Sequence, residues 1–384
     1  MEPPVIGMVA GEPSGDNLGA HLISALRQHL PGARFTGIGG ARMQAAGFES
    51  IFPMEKLSVL GIVEVLRHLP ALLSIRRRLA AHFLRERPGV FIGIDSPDFN
   101  LDLEVRLKNA GIPTVHYVGP TIWAWRRGRV AKIRRAVSKV LVLFPFEAPL
   151  YEQADVPVAF VGHPLADVLA KFPPGPVIRE QLRLSTSVKI VTLLPGSRVS
   201  ELKQMAELFV AAADKIADNV PETLFLVPFI NRETRELFEQ ALYRDESRKR
   251  NMQVLFGHAH EAMAAADVVL ATSGTASLEA ALLKRPLVIT YKVAPLTAAI
   301  HRRQSYLRWV GMPNILAGES IVPEFLQEEA TPDNLAQAVT NLLFDEIVRQ
   351  RLEDRFAGML AELRQDNATK AAHEILPLLT GATT

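Results

Sequence analysis

The sequence predicts an α/β protein of two domains, each built on a doubly wound, mostly parallel sheet. Three observations predict it. Short apolar runs alternate with longer amphipathic segments, the pattern of successive βαβ units. A proline–glycine cluster breaks the alternation near the middle of the chain. There Pro173, Pro174 and Pro176 surround Gly175, which suits a linker between about residues 164 and 184. Finally, 384 residues, 48% apolar and 22% charged, are enough for two packed domains.

In chain order, VIGMVA, ARFTGIGG, GVFIGID, PTVHYV, KVLVLF and VAFVGH read as strands of a first domain, residues 1–168. VKIVTLLPG, LFLVPF, QVLFG, DVVLATS and PLVITYK read as strands of a second, residues 185–345. NLGAHLISALRQHL, LDLEVRLKNAG and ELKQMAELFVAAADKIADNV carry apolar residues at helical spacing and read as intervening helices. Residues 346–384 are helical by pattern. The sequence leaves open whether they pack on the first domain or on a partner chain in a homodimer.

Bulk properties exclude several classes. The chain has no cysteine, so disulfides, thiolate zinc sites and cysteine nucleophiles are out. A net charge of +2 gives no nucleic-acid signature. The first residues lack the basic and apolar regions of a signal peptide. No apolar run approaches the roughly 20 residues that span a bilayer. The expectation is a cytoplasmic protein whose membrane contact is peripheral.

Ligands of doubly wound sheets bind beyond the carboxyl ends of the strands, so the loops there carry the information. GEPSGDNLGA follows the first strand, and Gly11, Ser14 and Gly15 offer either a tight turn or a ligand loop. Ser14 or Asp16 is a candidate helix cap. Glu12 and Asp16 oppose an anion, and the loop is not GxGxxG. In GIGGARM, Gly39 and Gly40 stand where a dinucleotide domain wants a ribose-binding acid, which argues against a dehydrogenase. In GIDSPDFN, Asp95 and Asp98 follow a buried strand, where a carboxylate is costly unless bonded or needed. They read as a base, as turn caps or as a Mg²⁺ site, with Asn100 in turn work. His163, in FVGHP, reads as a structural hydrogen-bonder beside the hinge.

In the second domain, LLPGSRVSEL places Gly196, Ser197 and Arg198 at a helix start. A cation there opposes the helix dipole and makes sense beside a bound anion. In ATSGTASLEAA, Ser273, Gly274 and Thr275 open another helix, with Glu279 about one turn on. A carboxylate so placed can accept both ribose hydroxyls. Two phosphate-friendly helix starts beside a carboxylate favour a nucleoside diphosphate.

Taken in order, AGEPSGD, GIDSPDFN, HYVGPTIWAW, FVGHPLAD, LLPGSR, SGTASLE and PNILAG resemble the lipid-A-disaccharide synthases, over nearly the whole chain. The resemblance implies a GT-B fold of two Rossmann-like domains. It implies an inverting transfer of sugar from UDP-2,3-diacylglucosamine to 2,3-diacylglucosamine 1-phosphate, giving the β-1,6 disaccharide 1-phosphate and UDP, without cofactor or metal. Acceptor binding then falls to the first domain, at Gly11, Ser14, Gly15, Asp98, Asn100 and His163. UDP-sugar binding falls to the second, at Gly196, Ser197, Arg198, Ser273, Gly274, Thr275, Glu279 and Asn314 of PNILAG. Asp95 is the expected base and Asp98 its support. One departure stands out: Gly119-Pro120-Thr121 replaces the serines that many members carry there. A UDP-sugar epimerase or a non-catalytic nucleotide-sugar binder are the rival readings.

The run LSVLGIVEVLRHLPALLSIRRRLAAHFLRER includes Val59, Leu60, Leu69, Leu72 and Leu73 followed by Arg76, Arg77 and Arg78. Apolar residues flanked by arginines suit the anionic inner face of a cytoplasmic membrane. Trp123 and Trp125 beside Arg126, Arg127 and Arg129 repeat the mix. The same run also reads as an ordinary amphipathic core helix.

Overall fold

The computed structural model describes residues 3–57, 62–122, 127–244, 251–293 and 308–379. The chain divides into two compact units, Met1–Asp167 with Leu363–Thr384, and Val168–Glu362.

Among its described residues the first unit holds seven strands: β1 (Val5–Ala10), β2 (Arg34–Ile38), β3 (Phe48–Ser50), β4 (Val90–Ile94), β5 (Thr114–Tyr117), β6 (Lys139–Val142) and β7 (Val158–Phe160). They pair in parallel in the order β3-β2-β1-β4-β5-β6-β7. Every residue of β4 and β5 is buried, because helices cover both faces, as a parallel sheet requires. On one face, helix Ile62–Glu86 buries Ile75, Leu79, Ala80 and Phe83. The arginine-rich run is therefore core on its later turns. On the other face, helix Pro13–His29 packs with helix Asn367–Leu379, which buries Ala371, Ala372 and Ile375.

The second unit holds β8 (Ile190–Leu194), β9 (Leu224–Phe229), β10 (Met252–Phe256), β11 (Val268–Thr272), β12 (Leu287–Tyr291) and β13 (Glu324–Leu326). Their order is β10-β9-β8-β11-β12-β13, again parallel. The proline-rich stretch leads into helix Gly175–Gln181, where Arg179 pairs with Asp267 at 2.9 Å inside this unit. Helix Glu346–Leu363 buries Leu352, Phe356 and Met359 in the same core. Residues 346–384 are thus shared between the units rather than forming one closing segment.

Two strands, β3 and β13, are absent from the sequence reading. Each is a three-residue edge strand with a glutamate in it, too short to show an apolar run. Among the described residues, no helix is long and apolar enough to cross a membrane. Residues Val59, Leu60, Trp123, Trp125 and Arg126 lie outside the described residues.

In each unit the strand order reverses beside the first strand, between β1 and β4 and between β8 and β11. A crevice opens at such a switch point, because the loops on either side turn opposite ways.

Candidate functional site

At the first switch point, Gly11 follows β1 and lies against Ser96, which follows β4. Asp95 and Ser96 both have left-handed backbones, with φ of 50° and 45°. Such conformations cost about 1–3 kcal/mol each and persist only where the surroundings hold them. Here the holds are visible. The Asp95 N–H donates to Tyr117 O at 2.8 Å. The buried Asn100 amide donates to Asp95 O at 2.8 Å and to Ile94 O at 3.4 Å. The effect is to turn the half-buried Asp95 out of the sheet instead of letting the strand run on.

Asp95 lines a cavity of about 520 Å³ with Glu12, Ser96, Asp98 and Asp102. The rest of its wall includes Leu57, Leu69, Leu72, Leu73 and Phe99. One cavity therefore joins a carboxylate cluster to an aliphatic surface. Arg76 also lines it, 2.7 Å from Asp102, and Lys132 pairs with the same carboxylate. These contacts hold the Asp102 carboxyl below its usual range, although its partial burial pushes the other way and is the largest single influence.

Several residues of this half do other work than the sequence suggests. Asp98 does not cap its helix: Ser96 holds the cap position, and exposed Asp98 stands in the first turn, ion-paired with Arg129. Neither Ser14 nor Asp16 caps helix Pro13–His29, since Glu12 occupies that position. Buried Asp16 accepts instead from the N–H groups of Gly40, Arg42 and Met43 at 2.8–3.0 Å. That caps the short helix Ala41–Ala45 and accounts for an acid in this loop. Ser14 is exposed and Gly15 packs near Ile94, and neither lines the Asp95 cavity. His163 accepts from the Leu165 N–H at 3.2 Å, and its ring lies 5.2 Å from Phe144. Burial pulls its pKa down to about 4, so it stays neutral in a structural post.

At the second switch point a cavity of about 380 Å³ is lined by Gly196, Ser197, Arg198, Ser273, Gly274, Thr275 and Glu279. Seven of the residues singled out in sequence thus converge, brought there by the loops after β8 and β11. Helix Thr275–Leu282 opens into the cavity, with its first N–H groups lacking partners within the helix.

The Gly196 loop departs from expectation. Arg198 is the cap residue of helix Val199–Asn219, not part of its first turn, and its side chain is 76% exposed. The N–H groups of Ser197 and Arg198 donate to Glu201 Oε2 at 3.0 and 3.3 Å. Glu201 Oε1 lies 3.6 Å from the Arg198 guanidinium. Gly196 permits this, because its φ is 125° and a Cβ there would stand 2.7 Å from Glu201 Cβ. The donors expected to hold an anion are thus occupied by the chain's own carboxylate.

Asn314 is not at the cavity. It is fully buried, donating to Val322 O and Glu324 Oε1 and accepting from the Ile321 and Val322 N–H groups. Glu324 in turn accepts from the Val310 and Gly311 N–H groups, and Ser273 Oγ donates to Val310 O at 3.0 Å. Asn314 therefore supports the loop that braces Ser273.

The lining residues missed in sequence include Glu201, Tyr291 and the rim residue Ile230. Glu201 was legible, since an acid three residues past a cap completes a capping box. His260 was missed as well; its Nε2 lies 3.4 Å from Glu279 Oε2. That carboxylate raises the histidine pKa against partial burial. No local pattern in the sequence announces this pair.

A family model described as lipid-A-disaccharide synthetase matches residues 6–376. The lipid-A-disaccharide synthase of Methylobacillus flagellatus is 53% identical over 376 residues, covering 98% of this chain and 100% of the relative. That of Azoarcus sp. is 51% identical over 379 residues, covering 99% and 97%. Solved structures share the fold at low identity. UDP-GlcNAc 2-epimerase from Neisseria meningitidis, bound to UDP-GlcNAc, aligns with a TM-score of 0.61 at 13% identity, over 98% of this chain and 99% of that one. MurG of Acinetobacter baumannii aligns with a TM-score of 0.60 at 15% identity, over 97% and 99%. The architecture is of GT-B type, and the chain belongs to the lipid-A-disaccharide synthase family, glycosyltransferases of lipid A biosynthesis.

Proposed function

We propose that the enzyme transfers the sugar of UDP-2,3-diacylglucosamine to 2,3-diacylglucosamine 1-phosphate with inversion, yielding the β-1,6 disaccharide 1-phosphate and UDP. The observation that carries this reading is the Asp95 cavity, where a carboxylate and an aliphatic wall meet. An acylated sugar needs both, a base for its hydroxyl and cover for its chains.

In this reading the acceptor 6-hydroxyl oxygen attacks the anomeric carbon of the donor. Its proton passes to Asp95 as the new C–O bond forms. The bond to the diphosphate oxygen breaks, and UDP leaves with the electron pair. Arg198 and the first N–H groups of helix Thr275–Leu282 stabilise the charge that develops there. Glu279 accepts from the ribose hydroxyls. Incubation with both substrates should give disaccharide and UDP in equal amounts by mass spectrometry. Sugar epimerised without disaccharide, or binding without UDP release, would reject the reading.

No metal has a part in this mechanism, since the arginine and the helix dipole neutralise the leaving group. Turnover should survive dialysis against EDTA; its loss, with recovery on adding Mg²⁺ or Mn²⁺, would count against it.

The leucines also support a membrane-side acceptor site in this reading. Leu69 is 42% exposed at the cavity rim, and Arg77 and Arg78 are exposed on the same helix. This supports docking on an anionic bilayer, with the cavity open to acyl chains. Leu69→Ser with Leu72→Ser and Leu73→Ser should lower vesicle binding and long-chain turnover about tenfold, with UDP affinity unchanged. Burial of one leucine is worth about 1.5–3 kcal/mol, so even partial insertion predicts that loss. Indifference of the wild-type protein to anionic vesicles at low salt would refute docking.

A further inference from the structure

Directly behind Asp95, an ionisable pair is sealed in the first unit. Glu104, on helix Pro97–Asn109, and His116, on β5, are both fully buried, with Oε1 and Nδ1 2.7 Å apart. His116 is in register with Gly93, two residues before Asp95 on the neighbouring strand. A Cβ at Gly93 would stand 2.2 Å from Glu104 Oε1 and 2.9 Å from Asn100 Cβ. The carboxyl thus fills the space a side chain on β4 would take. Asn100 and Glu104 are four residues apart on one helix face, and both press on that glycine.

We propose that Glu104 and His116 are positioning residues for Asp95, acting through Gly93 and Asn100 to hold the turned-out end of β4. The inference rests on the reading of Asp95 as the base. Asn100 is the link. Its amide reaches Asp95 O, Ile94 O and, at 3.5 Å, Val9 O, so it ties both strands at the switch point.

Stability does not explain the pair. Burying two ionisable groups costs several kcal/mol per ion, and apolar replacements of similar volume are often as stable or more so. The same helix supplies the apolar residues Leu103 and Leu107, both fully buried. Three buried atoms of the cluster, Asn100 Oδ1, Glu104 Oε2 and His116 Nε2, meet no partner among the described residues. Such atoms are rare in native cores and call for a functional account. Burial also raises the Glu104 carboxyl, against the pull of His116. What a polar pair gives and leucines do not is a carboxyl fixed by its hydrogen bond to His116, packed against Gly93 and Asn100 at a strand end in a costly conformation.

The test is steady-state kinetics of the Glu104→Leu, His116→Leu double variant beside Asp95→Asn. The apolar pair should fold with a Tm at or above that of the wild type. Its kcat should fall about 10- to 100-fold, since misplacing a reacting group by about 1 Å costs that much. KM for both substrates and UDP affinity should stay within about twofold. Glu104→Gln, which keeps an oxygen for His116, should restore most of the kcat. Should the double variant not fold, Glu104→Ala carries the same expectation. A folded variant with kcat within twofold of wild type, or with only KM raised, overturns the proposal. Inactive Asp95→Asn beside a normal double variant refutes the pair alone; near-normal Asp95→Asn refutes the base itself.

Discussion

Asp95→Asn should lower turnover about 10²–10⁴-fold, the range for a positioned proton transfer. That is roughly 3–5 kcal/mol on the barrier. The amide keeps the size of the side chain and tolerates a left-handed backbone, so the hold from Tyr117 and Asn100 should survive. UDP affinity should stay within about twofold, because the residues proposed for UDP belong to the other unit. A variant with near-normal kcat would show that the proton goes elsewhere. Asp98 is then the control. It is ion-paired with Arg129 and exposed, so Asp98→Asn should cost much less than Asp95→Asn.

Arg198→Ala should weaken UDP binding about 10- to 100-fold, the worth of one hydrogen bond to a charged group, about 1.5–3 kcal/mol. Turnover should fall too, since the leaving diphosphate gains charge as the bond breaks. The guanidinium is mostly exposed and 3.6 Å from Glu201, so it is free to swing onto an anion at little cost. Glu201 predicts a companion result. Its carboxylate sits on the Ser197 and Arg198 N–H groups, where it competes with a diphosphate. Glu201→Gln should therefore tighten UDP several-fold, while Glu279→Ala loosens it through the ribose. Calorimetry finding wild-type affinity in both Arg198→Ala and Glu279→Ala would remove the nucleotide from this cavity.

The strands that position both sites were legible because buried parallel strands read as unbroken apolar runs. VFIGI and VVLAT could hardly be anything else. The switch-point loops were legible for a related reason: polar residues directly after such runs are costly without a partner or a purpose. What failed was the assignment of partners. Asp16 looked like a cap of its own helix and Asn314 like a ligand residue, yet each satisfies backbone donors from a segment at least seven residues away. Polar side chains that brace loops and those that bind ligands obey the same local rules, so only tertiary contacts separate them. His260 beside Glu279 escaped for that reason. The edge strands β3 and β13 escaped because three residues are too few to show a period.

The joining of Asn367 to the first unit has a consequence for how the chain is made. Asn367 lies 200 residues beyond Asp167, whose carboxylate accepts its N–H at 2.7 Å. Its side chain also reaches Gly162 O and Tyr117. The second unit is one continuous stretch of chain, whereas the first is interrupted by all of it. Domains generally fold as they emerge, the earlier before the later. Here the order is inverted at the finish. The sheet bearing Asp95 leaves the ribosome first, but Leu18, Leu22 and Leu26 await the helix carrying Ala371 and Ile375. At roughly 5–20 residues per second, that apolar face stays open for ten seconds or more. A nascent chain of this protein thus exposes apolar surface until its last helix arrives, and a stop codon before Asn367 leaves the first unit unfinished while the second is complete.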